Sequence, residues 1–186
     1  MRLPLFVLPV LLLLAACQSP QLNRDFDPSR DFAAYRSWSW HSPAVQYRPD
    51  DPRVRSDLTE QRLRDAIAEQ LDQRGLRPAP DSAKGDLEVA VWMIVDNRQQ
   101  QISSGYGGGW NGGWGGFWGG PNYVETRTLD YQVATVQIDL HDSRDGKLVW
   151  RGSAEQVLRS QPGGPSERSA QVRETVAKVL SQYPPR

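Results

Sequence analysis

Leu87-Glu88-Val89-Ala90-Val91-Trp92-Met93-Ile94-Val95 is the stretch on which the fold turns. Leu87, Val89, Val91, Met93 and Val95 alternate with Glu88, Ala90, Trp92 and Ile94, and after Glu88 both sets are largely apolar. A run rich in β-branched residues with apolar side chains on both faces predicts a central strand covered on each side.

Upstream, Asp57-Leu58-Thr59-Glu60 has the form of a capping box, an acid three residues after a cap. Leu63, Ile67 and Leu71 then recur every four residues beside Ala66, and Gly75 stands where a left-handed helix end wants glycine. The spacing predicts an amphipathic helix from Leu58 to Arg74. Before it, Tyr35-Arg36-Ser37-Trp38-Ser39-Trp40 alternates aromatic and polar residues, as a half-buried strand does. A proline-bearing loop, Ser42 to Pro52, separates the two.

Downstream, a second long strand is predicted from Tyr131 to Leu140, with Ala134, Val136, Ile138 and Leu140 on one side. Asp145-Gly146 supplies hairpin turn chemistry, and Leu148-Val149-Trp150 begins a return strand toward Leu158. After Gly163-Gly164-Pro165, the stripe Val172, Val176, Val179, Leu180 and Tyr183 marks a closing helix that Pro184-Pro185 ends. The expected class is therefore α+β, a single two-layer domain. A four-stranded, mainly antiparallel sheet would carry both helices on one face, in the order β-α-β-(Gly/Trp loop)-β-β-α. No internal repeat is present.

The N-terminus carries an address. Arg2 precedes an apolar run, Leu5 to Ala16, that falls short of the roughly 20 residues a bilayer-spanning helix needs. A positive start, a short apolar run and small residues before a cut site describe a secretory signal. Leu14-Ala15-Ala16-Cys17 resembles the lipobox of bacterial lipoproteins. That resemblance implies a diacylglycerol on the Cys17 thiol, removal of residues 1–16 and acylation of the new amine, with palmitate among the expected chains. A soluble-export site after Ala16 is the competing reading, and it would leave a lone thiol in an oxidising compartment. Gln18 follows the cysteine in place of the aspartate that marks inner-membrane retention in enteric lipoproteins, so an outer-membrane position facing the periplasm is expected. The expected organisation is a signal peptide over 1–16, a tether over 17–30 and a domain over 31–186, with a flexible Gly/Trp-rich insertion at 97–123.

Composition excludes several roles. Of 22 basic and 22 acidic residues, removal of Arg2 with the signal leaves 21 against 22, a balance of −1. A near-neutral chain with no basic stripe has no electrostatic footprint for nucleic acid. The single cysteine, once lipidated, leaves none for disulfides, zinc–thiolate sites or thiol catalysis.

These elements together resemble the DUF4136 family of bacterial envelope lipoproteins. The resemblance rests on the lipobox, Tyr35 to Trp40 and a helix ending at Arg74-Gly75-Leu76. It extends through the Gly/aromatic loop, Ile138-Asp139-Leu140 with Lys147-Leu148-Val149-Trp150-Arg151-Gly152, and a closing Tyr183-Pro184-Pro185. It spans nearly the whole mature chain. It implies secretion and lipidation, and it brings no established activity, cofactor or catalytic residue.

Gly105 to Gly120 holds ten of the 16 glycines together with Tyr106, Trp110, Trp114, Phe117 and Trp118, and no charge lies between Arg98 and Glu125. The tryptophans fall every four residues, but ten glycines would cost a helix roughly 10 kcal/mol. In lipid, exposed glycine backbone would leave its polar groups unpaired. Gly107, Gly109 and Gly112 match a dinucleotide-binding spacing with nothing helical after it, so that match is coincidental. Three readings stay open: a flexible insertion, a contact with an envelope protein or with sugar rings of peptidoglycan or polysaccharide, and a dip into lipid headgroups.

Catalysis finds little support. Asp139 and His141 would share a strand face near Asp142 and Asp145, a non-specific metal spacing and ordinary turn chemistry. No Gly-x-Ser-x-Gly elbow occurs. Glu88 and Glu155 would have to meet about 5 to 10 Å apart to serve as a hydrolytic pair. The expectation is a non-enzymatic, membrane-anchored envelope lipoprotein with a structural or interaction role and neither cofactor nor metal. A glycan-binding module using the Gly/Trp loop is the alternative, and a paired-acid hydrolase the second.

Overall fold

The computed structural model describes residues 21–80, 83–106, 123–158, 161 and 163–185. Strand β1 (Gln21–Phe26) is followed by a short 3-10 turn at Phe32–Ala34. Then come β2 (Ser37–Arg48), α1 (Asp57–Gln73), β3 (Arg77–Pro78), β4 (Leu87–Tyr106), β5 (Tyr123–Asp142), β6 (Leu148–Val157) and α2 (Pro165–Leu180). The strands form one sheet in the order β1-β6-β5-β4-β2-β3, curled into a half-barrel.

This corrects the expected four-stranded, mainly antiparallel sheet: six strands are present and the sheet is mixed. β4, β5, β6 and β1 pair antiparallel, whereas β2 pairs parallel with both β4 and β3. The parallel pair has a direct cause. Helix α1 lies between β2 and β4 in the chain, and a crossover helix carries the chain back to the end from which β2 began. β1 falls inside the stretch expected to be a tether, 17–30; it is an edge strand on β6, with Phe26 opposite Trp150. The insertion expected at 97–123 is narrower at both ends, because β4 runs to Tyr106 and β5 starts at Tyr123.

Helix α1 begins at Asp57, one residue before the expected Leu58. Ser56 is the cap, its hydroxyl accepting from the Thr59 amide at 3.3 Å, while Asp57 and Glu60 complement the dipole in the first turn. Its end matches the sequence: Gly75 has φ +82, the Leu76 amide donates to the Leu71 carbonyl at 3.0 Å and the Gly75 amide to Asp72 at 2.9 Å. That double bond is the Schellman closure, and it buries Leu76 beside Leu71.

Leu63, Ile67 and Leu71 of α1 and Val176, Val179 and Leu180 of α2 are wholly buried, on a floor of Leu87, Val89, Val91, Ile138 and Leu140. Truncating any one of these leucines to alanine costs about 2–5 kcal/mol. Aromatic residues close one end: Trp150 and Tyr183 meet edge to face at 5.6 Å, Tyr183 and Phe32 at 5.9 Å, and Phe32 and Tyr35 at 6.0 Å. The opposite face of β4 is only partly covered. Ala90 is buried, but Trp92 and Ile94 are half-exposed, and Arg48 lies 4.7 Å from the Trp92 ring centroid. The doubly apolar pattern of β4 thus marks a central strand without a second covering layer.

Candidate functional site

Three places gather polar chemistry. The first is a knot at the β5–β6 turn. Asp142, wholly buried, accepts from Arg144 at 2.6 Å, from Arg30 at 3.1 Å and from the Tyr35 hydroxyl at 3.0 Å. Arg30 also grips Asp145 at 2.7 Å and Asp27 at 3.1 Å. The Arg144 guanidinium, the Arg144 amide and the Tyr35 hydroxyl hold the Asp142 carboxyl far below the usual carboxylate range, against the opposing effect of burial. Hydrogen bonds from the Ser29 hydroxyl and amide and from Arg30 bring Asp27 down to about 2. The knot ties the segment after β1 to the adjacent β5–β6 turn and to Tyr35 ahead of β2, and its carboxylates are occupied by arginines.

The second place is the sheet face away from the helices, a shallow depression of about 680 Å³. Arg151 clamps Asp139 through two 2.7 Å bonds. Glu88 takes Lys84 at 2.9 Å and His41 Nδ1 at 3.4 Å. Lys84 and then His41 hold its carboxyl below the ordinary value, against burial. The His41 and His141 rings lie 6.2 Å apart. Among the described residues no group of three or more His, Cys, Asp or Glu is disposed to hold a metal ion. Asp139 and His141 do share this face, but Asp142 points into the knot.

Glu88 and Glu155 are not brought together. Glu88 stands opposite His141 and Glu155 opposite Thr135 on the same strand β5, six residues apart, which is roughly 20 Å along a strand. Glu155 pairs instead with Arg98.

The third place is a cleft of about 750 Å³ on the helix side, where the sheet runs on past the two helix N-termini. Met93, Val95, Ala134 and Val136 form its floor, and Val172 and Thr175 of α2 and Arg62 of α1 its walls. Arg62 donates to Ser169 at 3.1 Å and Arg168 to the Gly163 carbonyl at 2.8 Å; Arg53 holds Asp51 at 2.6 Å. The Arg53 side chain and amide bring the Asp51 carboxyl to about 2. Sequence reading did not anticipate this cleft. Its floor reads as core alternation, and the cleft opens where the sheet extends beyond the helices that cover it.

Of the residues singled out from sequence, Cys17, Trp110, Trp114, Phe117 and Trp118 lie outside the described residues. Tyr106 is the last residue of β4, paired with Tyr123 of β5, so the Gly/Trp segment joins the far ends of these two strands.

A curled mixed sheet backed on one face by two helices defines a small α+β domain with long central strands. The chain belongs to the DUF4136 family, a domain of unknown function, whose pattern matches residues 22–185. No curated protein matches it. Among solved structures it is similar to a PDZ domain protein from Parabacteroides distasonis, at 15% identity and a TM-score of 0.52, over 90% of this chain and 37% of that one. It is also similar to a DUF4136 family protein from Bacteroides thetaiotaomicron, at 18% identity and a TM-score of 0.49, over 89% and 96% of the two chains. A PelC dodecamer from Paraburkholderia phytofirmans matches at 16% identity and a TM-score of 0.45, over 87% and 95%. This chain spans about a third of the length of the first, and identities this low speak to fold alone.

Proposed function

We propose that the protein is a cell-envelope lipoprotein, held to the outer membrane on its periplasmic side by acyl chains on Cys17, with a non-catalytic structural or interaction role. The observation that carries this reading is the Leu14-Ala15-Ala16-Cys17 lipobox at the end of a short apolar run. Only Gln18, Ser19 and Pro20 separate Cys17 from β1. Four residue steps span at most about 14 Å, so an anchored domain would ride against the bilayer and not on a long leash.

Two observations support a non-catalytic role. Among the described residues, every carboxylate with a displaced pKa is displaced downward: Asp27, Asp51, Asp86, Glu88, Asp142 and Asp145. A general acid working near neutral pH needs the opposite shift. The acids of the outer face and the knot are, in addition, bound to arginine, lysine or histidine.

The test is metabolic labelling with an alkyne fatty acid. The wild-type protein should carry label and float with outer membranes, and Cys17→Ser should lose both. An unlabelled wild-type protein would end this reading. The position of segment 107–122 at the end of a long arm favours a second reading, contact with peptidoglycan or another polysaccharide through Trp110, Trp114 and Trp118. Alanine at all three should abolish retention on purified sacculi, and unchanged retention would reject it.

A further inference from the structure

Past the body of the sheet, β4 and β5 continue as a two-stranded ribbon. β4 keeps a second neighbour only to Ile94, opposite Arg48 of β2, and β5 only to Val133, opposite Val157 of β6, with the Gln132 carbonyl taking the Leu158 amide just beyond. The two stay paired with each other to Tyr106 and Tyr123. That is eleven steps beyond Val95, roughly 37 Å at about 3.4 Å per residue. No described strand pairs with the outer edge of either arm over this length.

A lone two-stranded ribbon is marginally stable in water, and this one has little to hold it. Its side chains from Asp96 to Ser104 and from Glu125 to Asp130 are exposed. One face bears amides, hydroxyls and Asp130; the other presents Ile102 and Leu129, 41% and 49% exposed, among Arg98, Gln100, Glu125 and Arg127. Free strand edges are normally guarded by charged side chains, lysine above all, by proline or by a bulge, and the β5 arm carries Glu125, Arg127 and Asp130. From Asn97 to Ser104 there is no proline, no lysine and no register shift, and the one charge, Arg98, is spent on Glu155.

We propose that the ribbon's free edges are an assembly surface for a second copy of this chain, the outer edge of β4 in one copy pairing antiparallel with the outer edge of β5 in the next. β4 and β5 run in opposite directions, so this pairing continues the ladder and leaves every ribbon pointing the same way. The contact is heterologous, and its repetition builds a ring when the rotation closes.

A second copy is the occupant the edges specify. The strand each edge would meet is the one it already pairs with on its other side, through twenty rows without a slip. The charges do not clash: Asn97–Tyr106 carries no acid to oppose Glu125 and Asp130 of Tyr123–Gln132, and its one cation, Arg98, is held on Glu155. The proposal does not require Cys17 to be lipidated.

The test is the native mass of the full-length protein in mild detergent at micromolar concentration, beside two shortened variants. One replaces residues 107–122 with Asn-Gly and keeps the arms. The other replaces 98–131 with Asn-Gly between the facing residues Asn97 and Gln132 and removes them. The full-length protein and the first variant should be several protomers in mass, and the second, checked for folding by its circular-dichroism melt, a single protomer. If the armless variant does not fold, Gln99→Lys with Gln101→Lys in the intact chain should shift the mass toward one protomer. A monomeric full-length protein, an armless variant that stays assembled, a mass unmoved by the two lysines, or disassembly on removing 107–122 alone would each overturn the proposal.

Discussion

The Asp142 knot yields a prediction with a sign and a size. Asp142→Asn keeps the shape and one acceptor but removes the charge that Arg30, Arg144 and the Tyr35 hydroxyl share. Breaking a buried ionic group from one side costs about 3–5 kcal/mol. The Arg144 side chain is 76% exposed and is solvated once released, so the low end applies. A destabilisation of about 3 kcal/mol is expected at pH 7, which in a chain of this size lowers Tm by roughly 6–12 °C. The folded carboxyl titrates well below its unfolded value, near 3.9. Its contribution is therefore complete above about pH 5 and fades as the pH falls toward the folded pKa. Urea unfolding of both proteins at pH 7, 4 and 2.5 should show their difference shrinking with acid. A difference below about 1 kcal/mol at pH 7, or one that stays constant down to pH 2.5, would refute the argument.

Further outcomes follow from single positions. At Gly152 an added methyl would sit 2.4 Å from the Trp150 ring and 2.9 Å from Val179, both buried, so Gly152→Ala should lose about 1–3 kcal/mol in urea unfolding. Gly75→Ala meets open space but must hold φ +82, which costs roughly 1–2 kcal/mol and should appear as a lower melting temperature with an unchanged native spectrum. Arg48→Ala should remove about 0.5–1 kcal/mol of cation–π contact and raise the accessibility of Trp92 to a collisional quencher.

What the sequence disclosed follows from which elements carry a period. Helix α1 was legible to within a residue because its buried stripe and Gly75 are local signals, and α2 was legible from Val176, Val179 and Leu180. The hairpin at Asp145-Gly146 was legible because Gly146 takes φ +70. β1 was hidden. Gln21-Leu22-Asn23-Arg24-Asp25-Phe26 is an exposed edge in which Phe26 alone is half-buried, so no alternation betrays it. The parallel pairing of β2 and β4 was available in principle, since a helix between consecutive strands enforces it; what concealed it was the hairpin chemistry elsewhere in the chain.

The β4–β5 arms expose a different limit. Gln99-Gln100-Gln101 opposite Asp130, Leu129 and Thr128 has neither a hydrophobic period nor β-branched density on β4. A strand polar on both faces looks like a linker when read singly. What makes it a strand is the partner across the ladder, a pairwise property that one-dimensional periodicity does not contain. The same reasoning bears on function. The long-range contacts hidden from the sequence, namely the Asp142 knot, the Arg151–Asp139 clamp and the Arg98–Glu155 pair, take up acids that otherwise look free for catalysis or metal binding. Once those acids are accounted for, the outer edges of the projecting ribbon still offer backbone donors and acceptors that no described strand takes up. That backbone is the kind of surface that recruits another strand, and the search for this protein's role should start there.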